Sequence, residues 1–293
     1  MYLLESVLVT GLSLGFVYIL YSLGFSSTFA VLGEMNFAYG DSLVVTTFVA
    51  LAAADAHLPG PAVVLIAIVV GALTGLAVEV FAMSPLRGRG DSVALIVSGL
   101  GVALVLRNLT MSVWGPASVH FPDLFAHGAW LSLGNQRLPV TTLVMLMFII
   151  VTLGLTGWLL ARTRIGLYVR ALAQDPLAAR LSGVPVRRVR SLCYAWGGAL
   201  GGLAGVLYAS VYGVLGISLG FQATIVAWIA VVLGGKGNLW GPVIGGVILG
   251  LAQSFLAVYV STLYETTFTY IIMIGILLML PNGILAARRS IRV

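Results

Sequence analysis

Residues 139–161 read PVTTLVMLMFIIVTLGLTGWLLA, and residues 162–190, here called the basic loop, continue RTRIGLYVRALAQDPLAARLSGVPVRRVR. The first stretch has no charged residue and is long enough to cross a bilayer as a helix, which takes about 20 apolar residues. The basic loop holds seven arginines, nearly half of the 15 basic residues of the chain. These residues therefore predict a membrane-spanning helix followed by a basic loop outside the membrane.

The composition extends this pattern to the whole chain. Of the 293 residues 60% are hydrophobic and 8% are charged, whereas soluble domains have roughly 25% charged residues. Most of the surface must therefore face the lipid bilayer. The net charge of +6 is too localised for a nucleic-acid interface, and the single Cys193 excludes a disulfide framework and a cysteine-based metal site. We predict an all-α polytopic membrane protein in which residues 1–293 form one transmembrane domain, without a metal site.

Nine apolar segments are candidates for membrane spans. They cover residues 6–32, 36–54, 61–83, 92–113, 139–161, 190–213, 222–235, 240–260 and 265–282. Allowing for one segment more or less, we predict about 8 to 10 transmembrane helices. The stretches 33–41 and 234–241 are rich in Gly and Asn, so we expect some helices to be broken inside the membrane.

The basic residues predict the orientation, because basic loops are retained in the cytoplasm. Three connections are basic, at 87–89, 162–190 and 288–292. The other loops, at 55–60, 114–138, 214–221 and 261–264, carry Arg137 as their one basic residue. Alternating spans place the two groups on opposite sides, with the N-terminus outside and the C-terminus in the cytoplasm.

The basic loop contains the signals of a short capped helix. Asp175 can accept hydrogen bonds from free amides at a helix start, Pro176 suits the first helical position, and Gly183 suits the position after the last turn. Two interpretations of this helix stay open: it rests on anionic lipid headgroups, or it is a rigid connector that inserts into a partner protein. The small Ala178 and Ala179 would let a partner surface approach closely.

Four segments of the chain resemble the permease subunits of bacterial ABC importers, specifically the branched-chain amino acid permease family. In the basic loop the resemblance rests on Gly166, Arg170, Ala171, Asp175, Pro176, Ala178, Ala179 and Gly183. The others are VLGEMNFAYGD at 31–41, AVVLGGKGNLWGPVIGGVILG at 230–250 and MLPNGILA at 279–286. Tyr39 stands where the family usually has His. The resemblance covers nearly the whole chain in the right order.

This resemblance implies the ABC importer permease fold and a multi-pass subunit of the bacterial inner membrane that imports branched-chain or related amino acids. The implied partners are a second permease subunit in a heterodimer, two ATPase subunits and a periplasmic or extracytoplasmic substrate-binding protein. ATP and Mg²⁺ would bind to the ATPase subunits, with no cofactor on this chain, which would not itself be an enzyme. The residues of the basic loop named above, together with Arg180, would couple this chain to the ATPases.

The two glycine-rich breaks resemble each other. Residues 31–41 and 232–241 both contain Val-Leu-Gly, then Asn, an apolar residue, an aromatic residue and Gly. This similarity arises either from an internal duplication or by chance. Irregular backbone at membrane depth is tolerated where it lines a cavity or is buried in protein, and the alternative is a pair of tight cytoplasmic turns. Our candidate pathway residues are Asn36, Phe37, Tyr39 and Asn238.

A third glycine-rich stretch, GGALGGLAG at 197–205, has a helical spacing. Gly197, Gly201 and Gly205 share one helix face, and small residues at this spacing let two helices approach closely in lipid. The partner helix belongs either to this chain or to a second permease.

The alternative function is an ion-coupled secondary transporter of small polar solutes. Such proteins usually carry ionisable residues in mid-membrane. Glu79 and Arg107 lie within about two turns of a segment end, and Glu34 and Asp41 are placed at the cytoplasmic boundary. We therefore expect the energy for transport to enter through another subunit. Sequence signatures of an intramembrane protease or a phosphate-binding loop are absent.

Overall fold

The computed structural model describes residues 2–87, 92–125, 130–133, 136–235 and 240–259, and residues 267, 270, 271, 274, 275, 278 and 283–285 near the end of the chain. The helices are α1 Tyr2–Leu32, α2 Tyr39–Asp55, α3 Gly60–Ala77, α4 Ser92–Trp114, α5 Val140–Arg162, α6 Arg164–Gln174, α7 Pro176–Leu181, α8 Val186–Tyr212, α9 Leu219–Gly234 and α10 Trp240–Tyr259. A π-helical turn, Val78–Met83, continues α3. Short strands are β1 Val119–His120, β2 Trp130–Leu133, β3 Gln136–Pro139 and β4 Val214–Leu215.

The predicted all-α polytopic membrane fold is confirmed. Among the described residues, six helices are long and apolar enough to cross a membrane: Val7–Phe29, Gly60–Met83, Val93–Trp114, Thr142–Arg162, Val186–Tyr212 and Trp240–Tyr259. The first eight predicted segments coincide with α1, α2, α3 with its π-helical turn, α4, α5, α8, α9 and α10. The ninth, 265–282, lies mostly outside the described residues.

Two of the loops predicted to lie outside the cell meet at one end of the bundle. β1 pairs with β4, with Val119 opposite Leu215, and this small sheet joins the loops 114–138 and 214–221. The Leu124 amide donates a hydrogen bond of 3.1 Å to Ser210 Oγ near the end of α8. The sequence did not predict these strands, because each has only two to four residues, too few to show a period-2 pattern.

Residues 284 and 285 pack at the glycine-rich break after α9. The Ile284 amide donates to the Leu233 carbonyl oxygen at 2.8 Å, and the Leu285 amide donates to the Gly234 carbonyl oxygen at 3.0 Å. Two segments that carry the family resemblance are therefore hydrogen-bonded to each other.

Helix α8 forms the centre of the fold because its glycines let other helices approach. Gly197 packs against Gly24 of α1, Gly201 against the Tyr39 ring, and Gly205 against Leu43 at the start of α2. The neighbouring face of α8 meets α3: Gly198 lies against the Gly71 backbone and Gly202 against the Ala67 carbonyl. The predicted glycine face therefore has its partner helices within this chain.

Candidate functional site

Helices α2 and α9 both begin inside the bundle and touch at their first turns. Gly40 lies against the Gly220 backbone with no room for a side chain between them, and the Gly40 amide donates a hydrogen bond of 2.9 Å to Thr224 Oγ1. Tyr39 lies against Gly201, which is about 22 Å along α8 from its first residue at 1.5 Å per residue. The segment 33–38 therefore returns into the bundle and is not a turn at its surface.

Asp41 is buried at this junction, which corrects its predicted position at the cytoplasmic boundary. Its side chain is 4% exposed, and Arg107 Nε of α4 donates to its Oδ1 at 3.2 Å. The sequence pattern misplaced Asp41 because it treated residues 36–54 as a full span. The 17-residue α2 instead begins at depth, where its positive N-terminal end favours a carboxylate.

A narrow cavity adjoins this junction. It measures about 10 Å³ and is lined by Phe25, Met35, Asn36, Phe37, Thr224, Ile225 and Trp228. Asn36 also shapes the chain, because its Oδ1 accepts a hydrogen bond of 3.1 Å from the Ala38 amide at the start of α2. Two of the four candidate pathway residues, Asn36 and Phe37, thus line an internal space.

The other two candidate pathway residues are placed differently. Tyr39 is 3% exposed, and its hydroxyl donates to the Tyr21 carbonyl oxygen at 3.0 Å. Its ring therefore packs between α1 and α8 and does not line the narrow cavity. Asn238 lies outside the described residues. The roles of all four in transport stay predictions.

A larger groove of about 440 Å³ lies between α1, α8, α9 and α10, towards the end of the bundle that carries β1 and β4. The described residues that line it are uncharged: Thr10, Leu14, Tyr18, Tyr208, Tyr212, Gln222, Ile225, Val226, Gln253, Ser254, Ala257, Val258 and Tyr270. Tyr18 Oη donates a hydrogen bond to Gln253 Oε1 across the groove. Ile225 borders both this groove and the narrow cavity, so the two spaces adjoin at this residue of α9.

Sequence reasoning did not single out this groove. All of its members but Tyr270 lie on α1, α8, α9 and α10, and α1 is far from the other three in the chain, so no local spacing brings them together. The available signal was the presence of Gln222 and Gln253 inside apolar segments, because polar amides are rare in lipid-facing positions.

At the other end of the bundle Arg87 lies between two carboxylates. Its Nε donates to Glu34 Oε1 at 2.8 Å, its Nη2 donates to Glu34 Oε2, and its Nη1 donates to Glu79 Oε1. The Arg87 guanidinium lies 5.7 Å from the centroid of the Tyr194 ring. The Tyr194 hydroxyl donates to Glu34 Oε2 at 3.4 Å. This cluster ties the end of α1, the π-helical turn and α8 together.

The cluster keeps Arg87 charged. Burial lowers the pKa of Arg87, but the hydrogen bonds to Glu34 and Glu79 and the negative charges of these carboxylates outweigh that effect and raise the pKa above its ordinary value. Raised in this way, the pKa leaves the guanidinium protonated throughout the physiological pH range. Glu34, which the sequence placed in a boundary loop, is therefore part of an ion-pair cluster.

The capped helix predicted in the basic loop is confirmed as α7. Asp175 Oδ1 accepts hydrogen bonds from the Leu177 and Ala178 amides at 2.8 and 3.0 Å. Pro176 is the first helical residue. Gly183 has φ +78°, a left-handed conformation that glycine adopts without strain.

The helix α6, which precedes α7, packs against α5 and α8. Gly166 lies against the Leu159 and Leu160 carbonyl oxygens at the corner with α5, where a side chain would overlap them. Val169 and Leu172 of α6 are buried in a cluster with Cys193 of α8. Arg170 is exposed and Ala171 half-buried on the same helix.

Within α7 the structure separates an inner face from an outer face. Ala179 is 4% exposed and packs inward, whereas Leu177 and Leu181 are 67% and 83% exposed. Ala178 and Arg180 are also exposed. Of the two alanines named for close approach by a partner, only Ala178 is therefore free of this chain's own core. The outer face is formed by the two leucines, which the sequence reasoning did not name.

Neither end of the bundle offers an evident metal site. The described residues contain no group of three or more His, Cys, Asp or Glu side chains that could hold a metal ion.

The chain is similar to known membrane permeases, to some of them over nearly its full length. The family described as branched-chain amino acid transport system / permease component matches residues 7–277. The chain is 32% identical to the high-affinity branched-chain amino acid transport system permease protein LivH of Escherichia coli K12, over 94% of this chain and 93% of the relative. It is 31% identical to the corresponding protein BraD of Pseudomonas aeruginosa, over 95% and 94%. The ribose import permease protein RbsC of Escherichia coli is 32% identical over 67% of this chain and 60% of that protein.

Proposed function

Since the chain belongs to the branched-chain amino acid permease family, we propose that it is the membrane permease subunit of an ABC importer for branched-chain or related amino acids. The observation that carries this proposal is α7, a short helix capped by Asp175 that presents Leu177 and Leu181 outward between two anchored helices. An apolar face on a rigid helix suits docking into a groove of a partner protein. The chain acts as a transport component, and the proposed ATP hydrolysis belongs to partner subunits.

The proposed partners follow from the same family membership. They are two ATPase subunits that bind ATP and Mg²⁺, a second permease that forms a heterodimer with this chain, and an extracytoplasmic substrate-binding protein. The proposed location is the bacterial inner membrane, with the N-terminus outside and the basic loop and C-terminus in the cytoplasm. Arginines concentrated at one end of the bundle support this orientation.

The proposed pathway runs along α9 from the uncharged groove to the narrow cavity at Asn36 and Phe37. The groove's tyrosine hydroxyls and glutamine amides can hydrogen-bond the charged ends of a zwitterion without an opposite buried charge, and its apolar residues can contact an aliphatic side chain. The groove of about 440 Å³ and the narrow cavity of about 10 Å³ adjoin at Ile225, and we assign the constriction of the pathway to this residue. In this mechanism, movement of α7 by the ATPases tilts the adjoining spans, and the constriction opens as the groove closes.

Transport measurements separate an ATP-driven importer from an ion-coupled transporter. Proteoliposomes containing the chain and its associated subunits are loaded with ATP and supplied with binding protein and radiolabelled leucine, isoleucine or valine. The expected uptake requires ATP inside and survives an ionophore. Uptake that persists without ATP and collapses with the ionophore would identify a secondary transporter instead.

A pair of leucine variants tests the outer face of α7. Leu181→Glu places a charge on the outer face, and we expect it to reduce binding-protein-stimulated ATP hydrolysis at least about tenfold, the scale of an interface hot spot. Leu167→Glu is the matched control, because Leu167 is also exposed, at 57%, but lies on α6. Equal hydrolysis by both variants and the wild type would exclude α7 as the docking element.

A further inference from the structure

A cavity of about 380 Å³ beside α7 is separate from the proposed pathway. It is lined by Glu79, Ser84, Arg87, Arg180, Val184, Val186, Arg187 and Arg190. Its volume is within the range of about 300–1,000 Å³ typical of small-molecule sites. Four arginines and one glutamate give the lining a net charge of +3, so the cavity favours an anion.

The arginines of this cavity are not all balanced by the chain itself. The donors of Arg87 are directed to Glu34 and Glu79, but the described residues give no ion pair to Arg180, Arg187 or Arg190. The Nε of Arg190 is buried and has no acceptor among the residues that the structure describes. A buried cationic donor without an acceptor is unfavourable, so an acceptor from outside the chain would stabilise this arrangement.

The position of the cavity indicates which anion it binds. It lies beside one end of each of the spans Gly60–Met83 and Val186–Tyr212, and basic pockets between helices at the ends of membrane spans hold anionic lipid headgroups. Arginine forks match the oxygens of a phosphate group. Leu177 and Leu181 form the exposed outer face of α7, whereas Arg187 and Arg190 belong to α8 and line the cavity.

We propose that this cavity binds the phosphate of an anionic phospholipid headgroup and thereby fixes α7 to the bundle. The proposal concerns lipid binding by the chain and does not depend on which solute is transported. The two interpretations of the helix in the basic loop, contact with lipid headgroups and insertion into a partner protein, are then compatible. The outer face of α7 would contact the partner protein, and its inner side would lie next to a lipid phosphate.

Lipid binding by purified protein tests this proposal. The chain is purified with its associated subunits, and native mass spectrometry measures the affinity for short-chain phosphatidylglycerol, phosphatidylcholine and inorganic phosphate. We expect phosphatidylglycerol to bind at least about tenfold more tightly than phosphatidylcholine. Arg187→Gln with Arg190→Gln should weaken phosphatidylglycerol binding about 25-fold, since each basic residue near the surface contributes about fivefold.

The matched control is Arg188→Gln, because Arg188 is exposed and adjacent in sequence but does not line the cavity. It should change the affinity less than twofold. If the double variant does not fold, Arg187→Gln alone, at an exposed position, should still weaken binding about fivefold.

Three outcomes would overturn the proposal. The first is equal binding of the two lipids. The second is an affinity for inorganic phosphate as high as that for phosphatidylglycerol, which would indicate a site for free phosphate. The third is unchanged lipid affinity in the double variant together with dissociation of the ATPases, which would assign the arginines to acidic residues of a partner protein.

Discussion

Replacing Arg87 by methionine should destabilise the protein far more than neutralising Glu79. The Arg87 side chain is 10% exposed, and the carboxylates it joins, Glu79 and Glu34, are 1% and 15% exposed. Arg87→Met leaves both carboxylates without their cation, and removing one partner of a buried ion pair costs about 3–5 kcal/mol. Glu79→Gln leaves the two-pronged Arg87–Glu34 pair, and the Gln carbonyl can still accept from Arg87 Nη1. We therefore expect Glu79→Gln to cost about 1 kcal/mol or less.

The assay is thermal unfolding of the purified protein in detergent. At about 2–4 °C per kcal/mol, Arg87→Met should lower the melting temperature by roughly 6–20 °C and Glu79→Gln by no more than about 4 °C. The double variant should recover part of the loss, because only Glu34 then remains charged in the cluster. The pKa of Arg87 is higher in the folded protein than in the unfolded chain. The stabilisation by its charge is therefore fully present at every pH below the ordinary arginine pKa and is lost only at higher pH. The difference between Arg87→Met and the wild type at physiological pH should therefore not arise from titration of Arg87.

Arg164→Met is the control for the loss of an arginine. Arg164 is exposed, and the described residues give it no ion pair. The reasoning would be refuted if Arg87→Met melted within about 2 °C of the wild type, or if Glu79→Gln were as destabilising as Arg87→Met.

Two other substitutions test the packing of α8 and the cap of α7. Gly202→Ala should destabilise the protein by about 1–3 kcal/mol, because the added methyl would overlap the Ala67 carbonyl and lie 2.7 Å from Thr46 Cγ2. Gly101→Ala, which meets nothing within 4 Å, should be neutral or stabilising, and equal melting temperatures for the two would contradict this packing. Asp175→Ala should remove about 0.5–2 kcal/mol of helix stability and lower binding-protein-stimulated ATP hydrolysis. Asp175→Asn should preserve hydrolysis because Asn caps as well as Asp, so a similar loss in both would point to the charge and not the cap.

Local signals predicted the elements of this fold well. Apolar length alone located α1–α5 and α8–α10, because crossing a bilayer takes about 20 apolar residues. The cap at Asp175 and the stop at Gly183 were also readable, since both depend on backbone groups within four residues. The glycine spacing at 197–205 indicated close packing but not the partner helix, because spacing describes only one of the two surfaces.

The candidate site was only partly predictable. Asn36 and Phe37 were named from an irregular stretch, and they do line an internal cavity. The groove and the Arg87 cluster were missed because their residues come from separate helices. Asp41 was misplaced because a 17-residue helix that begins inside the bundle has the same apolar pattern as a full span.

The sequence by itself determined that this chain is a multi-pass membrane protein and where a short capped helix interrupts the basic loop. These properties follow from hydrophobicity, charge and hydrogen bonding over a few neighbouring residues. Only the tertiary structure decided that α2 and α9 begin in contact inside the bundle, that Asp41 and Arg107 pair there, and that Leu177 and Leu181 form the outer face of α7. Those outcomes depend on contacts between helices distant in sequence, where glycines such as Gly40 and Gly202 set how closely the backbones approach.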